Sequence, residues 1–153
     1  MGVLFIYLNN LIVIIKVMKY IKNIEDYLEV KKSKILNAGK GVFAKKKIAN
    51  NTRLGEYKGK IIGINKLNDL KDTTYVFTVM KNGKPIKFIN GKTFKNPKKN
   101  PLIFINGAKT TKQKKQVNVE SYQYKQKIYY KSNKTINLGE ELLVDYGDDY
   151  WID

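Results

Sequence analysis

The 153-residue chain contains no cysteine and no histidine, and only one of its 30 basic residues, Arg53, is an arginine. The missing thiols and imidazoles exclude disulfides, thiol nucleophiles, Cys/His zinc clusters and any triad built on histidine. Acidic residues are also few: 13 Asp and Glu leave a formal net charge of +17. A polycation of this kind is drawn to phosphates. The scarcity of Arg and Ala beside abundant Ile and Asn equally fits an AT-rich codon bias, because phosphate forks and base readout favour Arg over Lys. At this length one domain can bury its core without covalent staples.

No stretch reaches the ~20 apolar residues that span a bilayer. Residues 1–17, MGVLFIYLNNLIVIIKV, come nearest, but Asn9-Asn10 interrupt the run and Lys16 closes it. The stretch has no basic leader or small-residue cleavage site, and Ile6 stands where N-myristoylation needs Ser or Thr. Three readings fit it: a tail or extension ahead of a true start at Met18, a helix packed on the domain, or a membrane anchor, the last being the weakest. Residues 1–26 are accordingly set apart as an apolar extension, and residues 27–151 as the domain.

The domain reads as mainly β. Segments 41–48, 53–62, 74–80, 85–89, 102–105, 117–122 and 127–131 are rich in β-branched and aromatic residues. Asn82-Gly83 between two of them predicts a type I′ hairpin, since both residues tolerate positive φ. Ile64, Leu67 and Leu70 have the spacing of a short helix over 64–71. Residues 92–99 and 108–116 read as polar, lysine-rich loops.

Three segments stand out for chemistry. Gly39-Lys40-Gly41 is by spacing either an ordinary turn or a place where backbone approaches a ligand closely. Leu54-Gly55-Glu56-Tyr57-Lys58-Gly59 presents Tyr57 on a strand. Leu138-Gly139-Glu140-Glu141-Leu142-Leu143-Val144-Asp145-Tyr146-Gly147 ends in an Asp-Tyr-Gly turn. With Val42-Phe43-Ala44 after the first, these segments resemble, in order, the signatures of the SET domain, a family that transfers methyl groups from S-adenosylmethionine to protein lysines. The likeness runs from Tyr27 to Trp151 and implies a fold of several small sheets with a pseudoknot-like C-terminal segment.

What the resemblance implies about residues is specific. Tyr146 matches the catalytic tyrosine, and Tyr57 matches a tyrosine lining the channel for the substrate lysine. Gly39, Lys40 and Gly41 match the backbone cradle for the methionine part of the cofactor, and Tyr75 an aromatic near it. Asn106 and Gly107 stand at the family's Asn-His position, with Gly107 replacing His, Ile103 replacing Arg and Asn90 replacing an upstream Asp. Asn106 would offer its amide to the cofactor. Trp151 would either pack on the domain or cover the cofactor cleft. Val144 sits where the family's choice of side chain affects how many methyls are added, and Tyr122 or Tyr124 is expected to fill the space it leaves.

The implied cofactor is S-adenosylmethionine, with no metal. The implied partner is a protein substrate carrying a target lysine, with histone the leading class and the nucleus or chromatin as its place. The lysine-rich loop 109–115 suggests contact with nucleosomal DNA, and membrane association is disfavoured. Because a histone tail is itself basic, Glu140, Glu141, Asp145, Asp148 and Asp149 are expected to gather at the substrate cleft. Two rivals remain open, a SET-like binding module without catalysis and a nucleic-acid-binding β protein using the tyrosines among lysines in 121–131.

Overall fold

The structure, a computed structural model, describes the backbone of residues 2–8 and 11–147 and the side chains of residues 18–147. In chain order the strands are β1 (Gly2–Leu8), β2 (Leu11–Val17), β3 (Lys19–Tyr20), β4 (Leu28–Lys32), β5 (Lys40–Ala44), β6 (Thr52–Glu56) and β7 (Lys60–Ile62). A short helix α1 (Ile64–Asn68) precedes β8 (Val76–Lys81), β9 (Lys84–Asn90) and β10 (Asn106–Gly107). Helix α2 (Thr111–Lys115) then leads to β11 (Val119–Tyr124), β12 (Lys127–Ser132) and β13 (Leu143–Val144). The strands form a six-stranded sheet ordered β10-β13-β11-β12-β6-β3, a three-stranded sheet β7-β9-β8, and two pairs, β1-β2 and β4-β5. This is the mainly β architecture of small sheets that the sequence led us to expect.

The C-terminal segment is inserted rather than appended. β13 pairs in parallel with β10 on one side and β11 on the other, so the connection 108–118 crosses over it. Parallel strands need such a crossover, and here α2 lies within it. The same segment is tied to β5, where Leu142 N–H donates to the Val42 carbonyl at 2.8 Å and Ala44 N–H to the Glu140 carbonyl at 3.0 Å. This is the pseudoknot-like arrangement, and it sets Tyr146, partly buried, against the core. One contiguous core beneath it includes Val42, Ile48, Leu54, Val79, Leu102, Val119, Tyr130, Ile136, Leu142 and Val144. Each fully buried aliphatic side chain there contributes roughly 1.5–3 kcal/mol relative to an exposed one.

Asn82 and Gly83 both have positive φ, 52° and 73°, and close the β8-β9 hairpin as a type I′ turn demands. Elsewhere local expectation and structure part. Segment 102–105 is β-rich in composition, yet Pro101–Phe104 forms a 3₁₀ turn, because proline's fixed φ suits the first turn of a helix. The run 53–62 breaks into β6 and β7, which enter different sheets, where Gly59 passes so close to the Asn90 backbone that a Cβ would meet it at 2.5 Å. Helix α2 interrupts the loop expected over 108–116. Its first turn is held by a capping box in which the Thr110 side chain accepts from Gln113 N–H and Gln113 caps Thr110 in return. Residues Lys92–Phe94 form another 3₁₀ turn.

The N-terminal stretch also departs from a helix or a structureless tail. β1 and β2 pair antiparallel from Gly2↔Val17 to Leu8↔Leu11, consistent with their wealth of Ile and Val. β3 continues in parallel against β6, Ile21 N–H donates to the Arg53 carbonyl at 3.0 Å, and Ile21 and Ile24 pack on the core. The hydrogen-bonded body therefore reaches back to Lys19. No helix among the described residues is long and apolar enough to cross a membrane.

Candidate active site

A cavity of about 730 Å³ opens beside the inserted C-terminal segment, and six of the nine residues singled out in the sequence line it: Lys40, Tyr57, Tyr75, Asn106, Gly107 and Tyr146. Gly39 and Gly41 flank Lys40 without lining the cavity, and Trp151 lies outside the described residues.

One wall is aromatic. Tyr57 follows β6 and is 3% exposed, with its ring edge-on to Phe77 at 4.7 Å between centroids. Its hydroxyl donates to the Tyr75 carbonyl at 2.9 Å. Phe77 in turn lies 6.1 Å from the Tyr130 ring and 6.3 Å from the Tyr146 ring. The hydroxyls of Tyr130 and Tyr146 are 3.0 Å apart, within hydrogen-bond distance. Four rings from four parts of the chain thus pack together; Tyr57, Phe77 and Tyr146 line the cavity, and the buried Tyr130 backs them.

Tyr130 is the residue that sequence reasoning missed. Tyr122 and Tyr124, expected to fill this space, lie on the other face of the sheet, since Tyr122 registers opposite Tyr129 while Tyr130 registers opposite Ser121. Successive strand residues face opposite ways. Tyr130 is fully buried at 0% exposure, and Tyr122 instead accepts a 2.6 Å hydrogen bond from Arg53 Nε.

The opposite end of the cavity rests on a buried polar node. Glu141 is 8% exposed, and its carboxylate accepts from Ser33 Oγ at 2.6 Å, from Lys34 N–H at 2.8 Å and from Asn106 Nδ2 at 3.3 Å. Asn106 Nδ2 also donates to the Lys40 carbonyl at 2.9 Å. These bonds pin the Gly39-Lys40-Gly41 strand to β10 and to the C-terminal segment. They also give Gly41 a different reason from the one expected: a Cβ there would collide with Glu141 Oε1 and come within 3.2 Å of Asn106 Nδ2. Gly39 has φ +71°, the left-handed region that favours glycine.

Among the described residues, the charged side chains that line the cavity are Lys40, Lys95 and Lys109, and Lys95 Nζ sits 3.9 Å from the centre of the Tyr75 ring. Glu141 is committed to the node, and Glu140 accepts from Asn137 N–H and Nδ2. Asp145 accepts from Gly147 N–H, and Asp148 and Asp149 lie outside the described residues. At the rim Asp72 is held well below the usual carboxylate range by the Thr74 side chain and N–H and then by the Lys92 ammonium at 2.9 Å. Thr74 itself lines the cavity.

This frame matches a known one. The family model of the PR domain of PR domain zinc finger protein 2 covers residues 28–152. The chain belongs to the PR-domain family, a branch related to SET domains. This PR domain is 31% identical over 110 residues to human PR domain zinc finger protein 14, a match covering 72% of this chain and 18% of that protein. It therefore spans less than a fifth of the length of the curated relatives it matches. The methyltransferase domain of human PR domain-containing protein 2 superposes with a TM-score of 0.63 at 26% identity, covering 81% of this chain and 80% of that one. CpSET8 from Cryptosporidium gives 0.63 at 26%, over 79% of this chain and 57% of that one. ATXR5 in complex with histone H3.1 shares the fold at 0.61 and 24% identity, over 79% of this chain and 57% of that one. The fold is that of SET-domain methyltransferases.

Proposed function

We propose that this PR domain is an S-adenosylmethionine-dependent protein-lysine N-methyltransferase that acts on histone tails. The observation that carries the reading is the ring of Tyr57, Phe77, Tyr130 and Tyr146, with its hydroxyl pair, at one side of a cavity large enough for a small-molecule cofactor.

The residues fit that cofactor. Asn106 commits its amide N–H groups to the Lys40 carbonyl and the Ser33–Glu141 node, while its carboxamide oxygen accepts no hydrogen bond from the described residues. Of the amide expected from the sequence to serve the cofactor, it is therefore the oxygen that would receive an ammonium or amine. Lys40 and Lys109 would hold a carboxylate, and the Gly107 backbone an adenine edge. Bound there, the cofactor supplies an electrophilic methyl on a sulfonium.

The chain's own residues do the rest. A lysine in water has a pKa near 10.4, so the incoming amine must be made neutral. Apolar walls from Phe77 and the tyrosine rings disfavour its charged form, and the positive charges of Lys40 and Lys95 in the lining act in the same direction. Tyr57, locked to the Tyr75 carbonyl, and Tyr130 and Tyr146, locked to each other, form a rigid sleeve that aligns the amine, which counts because productive attack needs a separation of about 3–3.5 Å. The Tyr146 hydroxyl is a preorganised dipole beside the reacting centre. Lysines on and beside α2, next to the cavity, would contact nucleosomal DNA.

Calorimetric titration with S-adenosylmethionine, followed by radiolabelled methyl transfer to core histones, tests the reading. Micromolar binding with transfer is the expected result. Binding without transfer to any protein would make the domain a binding module, and no binding at millimolar cofactor would end the enzyme reading.

A further inference from the structure

The face of the six-stranded sheet turned away from the tyrosine sleeve carries a second aromatic cluster. The guanidinium of Arg53, the chain's one arginine, lies 4.4 Å from the centre of the Tyr129 ring and 5.7 Å from those of Tyr122 and Tyr124. Tyr122 and Tyr129 stack at 5.8 Å with 28° between their planes. Tyr20, opposite Arg53 in the β3-β6 pair, is 66% exposed, and Tyr124 is 51% exposed. Lysines surround the rings, with Lys125 Nζ 5.6 Å from Tyr124 and Lys131 Nζ 5.5 Å from Tyr122.

Structural duty does not account for all of this. Arg53 donates from Nε to Tyr122, but it makes no ion pair among the described residues. The two carboxylates nearby, Glu56 and Glu120, are paired with Lys127 and Lys131. A planar cation is thus held beside tyrosines without an ion pair to any acid among the described residues, on a chain of net charge +17. Two of the rings, Tyr20 and Tyr124, are largely in solvent. Guanidinium forks suit phosphate oxygens, and exposed rings flanked by cations suit unpaired bases.

We propose that this face binds single-stranded nucleic acid, with bases stacked on Tyr20 and Tyr124 and phosphates on Arg53 and Lys125. A duplex hides its base faces within its own stack, so it could use the cations but not the rings. Because Tyr129 and Tyr130 are consecutive and face opposite ways, the site is separate from the methyl-transfer cavity and does not depend on that reading.

The test is fluorescence anisotropy of the full chain with a labelled thymidine 12-mer, a duplex of equal length, and a salt series. Tighter binding of the single strand is expected. Each of Tyr20→Ala and Tyr124→Ala should weaken it roughly tenfold, the scale of one lost base stack, without changing the salt slope. Tyr124→Trp should retain binding, Arg53→Lys should weaken it with charge preserved, and Lys125→Gln should flatten the salt slope. Melting temperatures close to wild type exclude misfolding as the cause. Equal affinity for the duplex with no effect of the tyrosine substitutions would overturn the proposal, as would no binding at all, or a dimer that Tyr20→Ala dissociates while the oligonucleotide stays unbound.

Discussion

The hydroxyl end of Tyr57 occupies the place where a side chain at Gly91 would begin: a Cβ there would collide with Tyr57 Oη, lie 2.8 Å from Cζ and 3.0 Å from a methyl of Ile103. Gly91 is in turn fixed by its own N–H, which donates at 2.9 Å to the Tyr75 carbonyl, the acceptor that also holds the Tyr57 hydroxyl. The absence of one methyl group thus sets the ring that walls the sleeve. Gly91→Ala should destabilise the domain by about 1–3 kcal/mol, the usual range for overpacking, and should reduce methyl transfer beyond what the lost stability explains. Thermal melting and turnover on the same preparation separate the two effects. Unchanged turnover with unchanged stability would mean that Tyr57 can move aside freely.

The Glu141 node is the second exposed point of the account. Glu141→Ala takes the acceptor from the buried Ser33 hydroxyl, at about 1–3 kcal/mol for a buried group left unsatisfied, and from Lys34 N–H, and it removes one of the contacts that orient Asn106 Nδ2, which keeps the Lys40 carbonyl. Cofactor affinity should fall as Asn106 loses its orientation, while Glu141→Gln, which keeps an acceptor, should lose less of both. Gly41→Val should mimic the alanine variant, because its side chain would displace the Glu141 carboxylate. Calorimetry on the three variants checks the order.

Much of the lining of the candidate cavity was legible in the sequence because its parts lie in short contiguous segments whose order matched a family. Tyr146, Tyr57 and the Lys40 strand needed no tertiary information. Tyr130 did. In Tyr129-Tyr130 nothing local says which ring turns inward, and the answer depends on pairing with β11 and on the register shift beside Tyr130 against β6. The 3₁₀ turn at Pro101–Phe104 was hidden by its apolar composition, although Pro101 was a readable signal. The α2 capping box was readable too, in Thr110 and Gln113, but lysine-rich surroundings make so short a helix look like loop. Glu141 gave no hint of burial, since its partners Ser33 and Asn106 lie 108 and 35 residues away.

Asp72 supplies a pH test at the rim. Its carboxyl pKa is depressed by Thr74 and then Lys92, so the stability it adds is present above the unfolded value near 3.9 and is lost as pH falls through the lower folded value. The side chain is 36% exposed, which keeps the effect small. Asp72→Asn should lower the melting temperature slightly at pH 6, and the gap to wild type should narrow as pH drops below about 4. A gap that widened in acid would contradict the assignment.

The N-terminus divides at Met18. A chain beginning there keeps β3, Ile21 and Ile24 against the core and should melt close to the full chain. One beginning at Tyr27 loses them and should melt clearly lower, each deleted isoleucine removing about 1.5–3 kcal/mol of burial at most. Equal melting of all three chains would make the β3-β6 pairing dispensable.

The central claim rests on the tyrosine sleeve, and its most direct test is radiolabelled methyl transfer to core histones by wild type and Tyr146→Phe. The substitution removes one oxygen, and with it the hydroxyl contact to Tyr130, while leaving the ring in place. Fold and cofactor affinity should persist while turnover falls by roughly 10²-fold or more, the scale of losing one preorganised donor. Transfer undiminished in Tyr146→Phe would remove that hydroxyl from the mechanism and contradict the account.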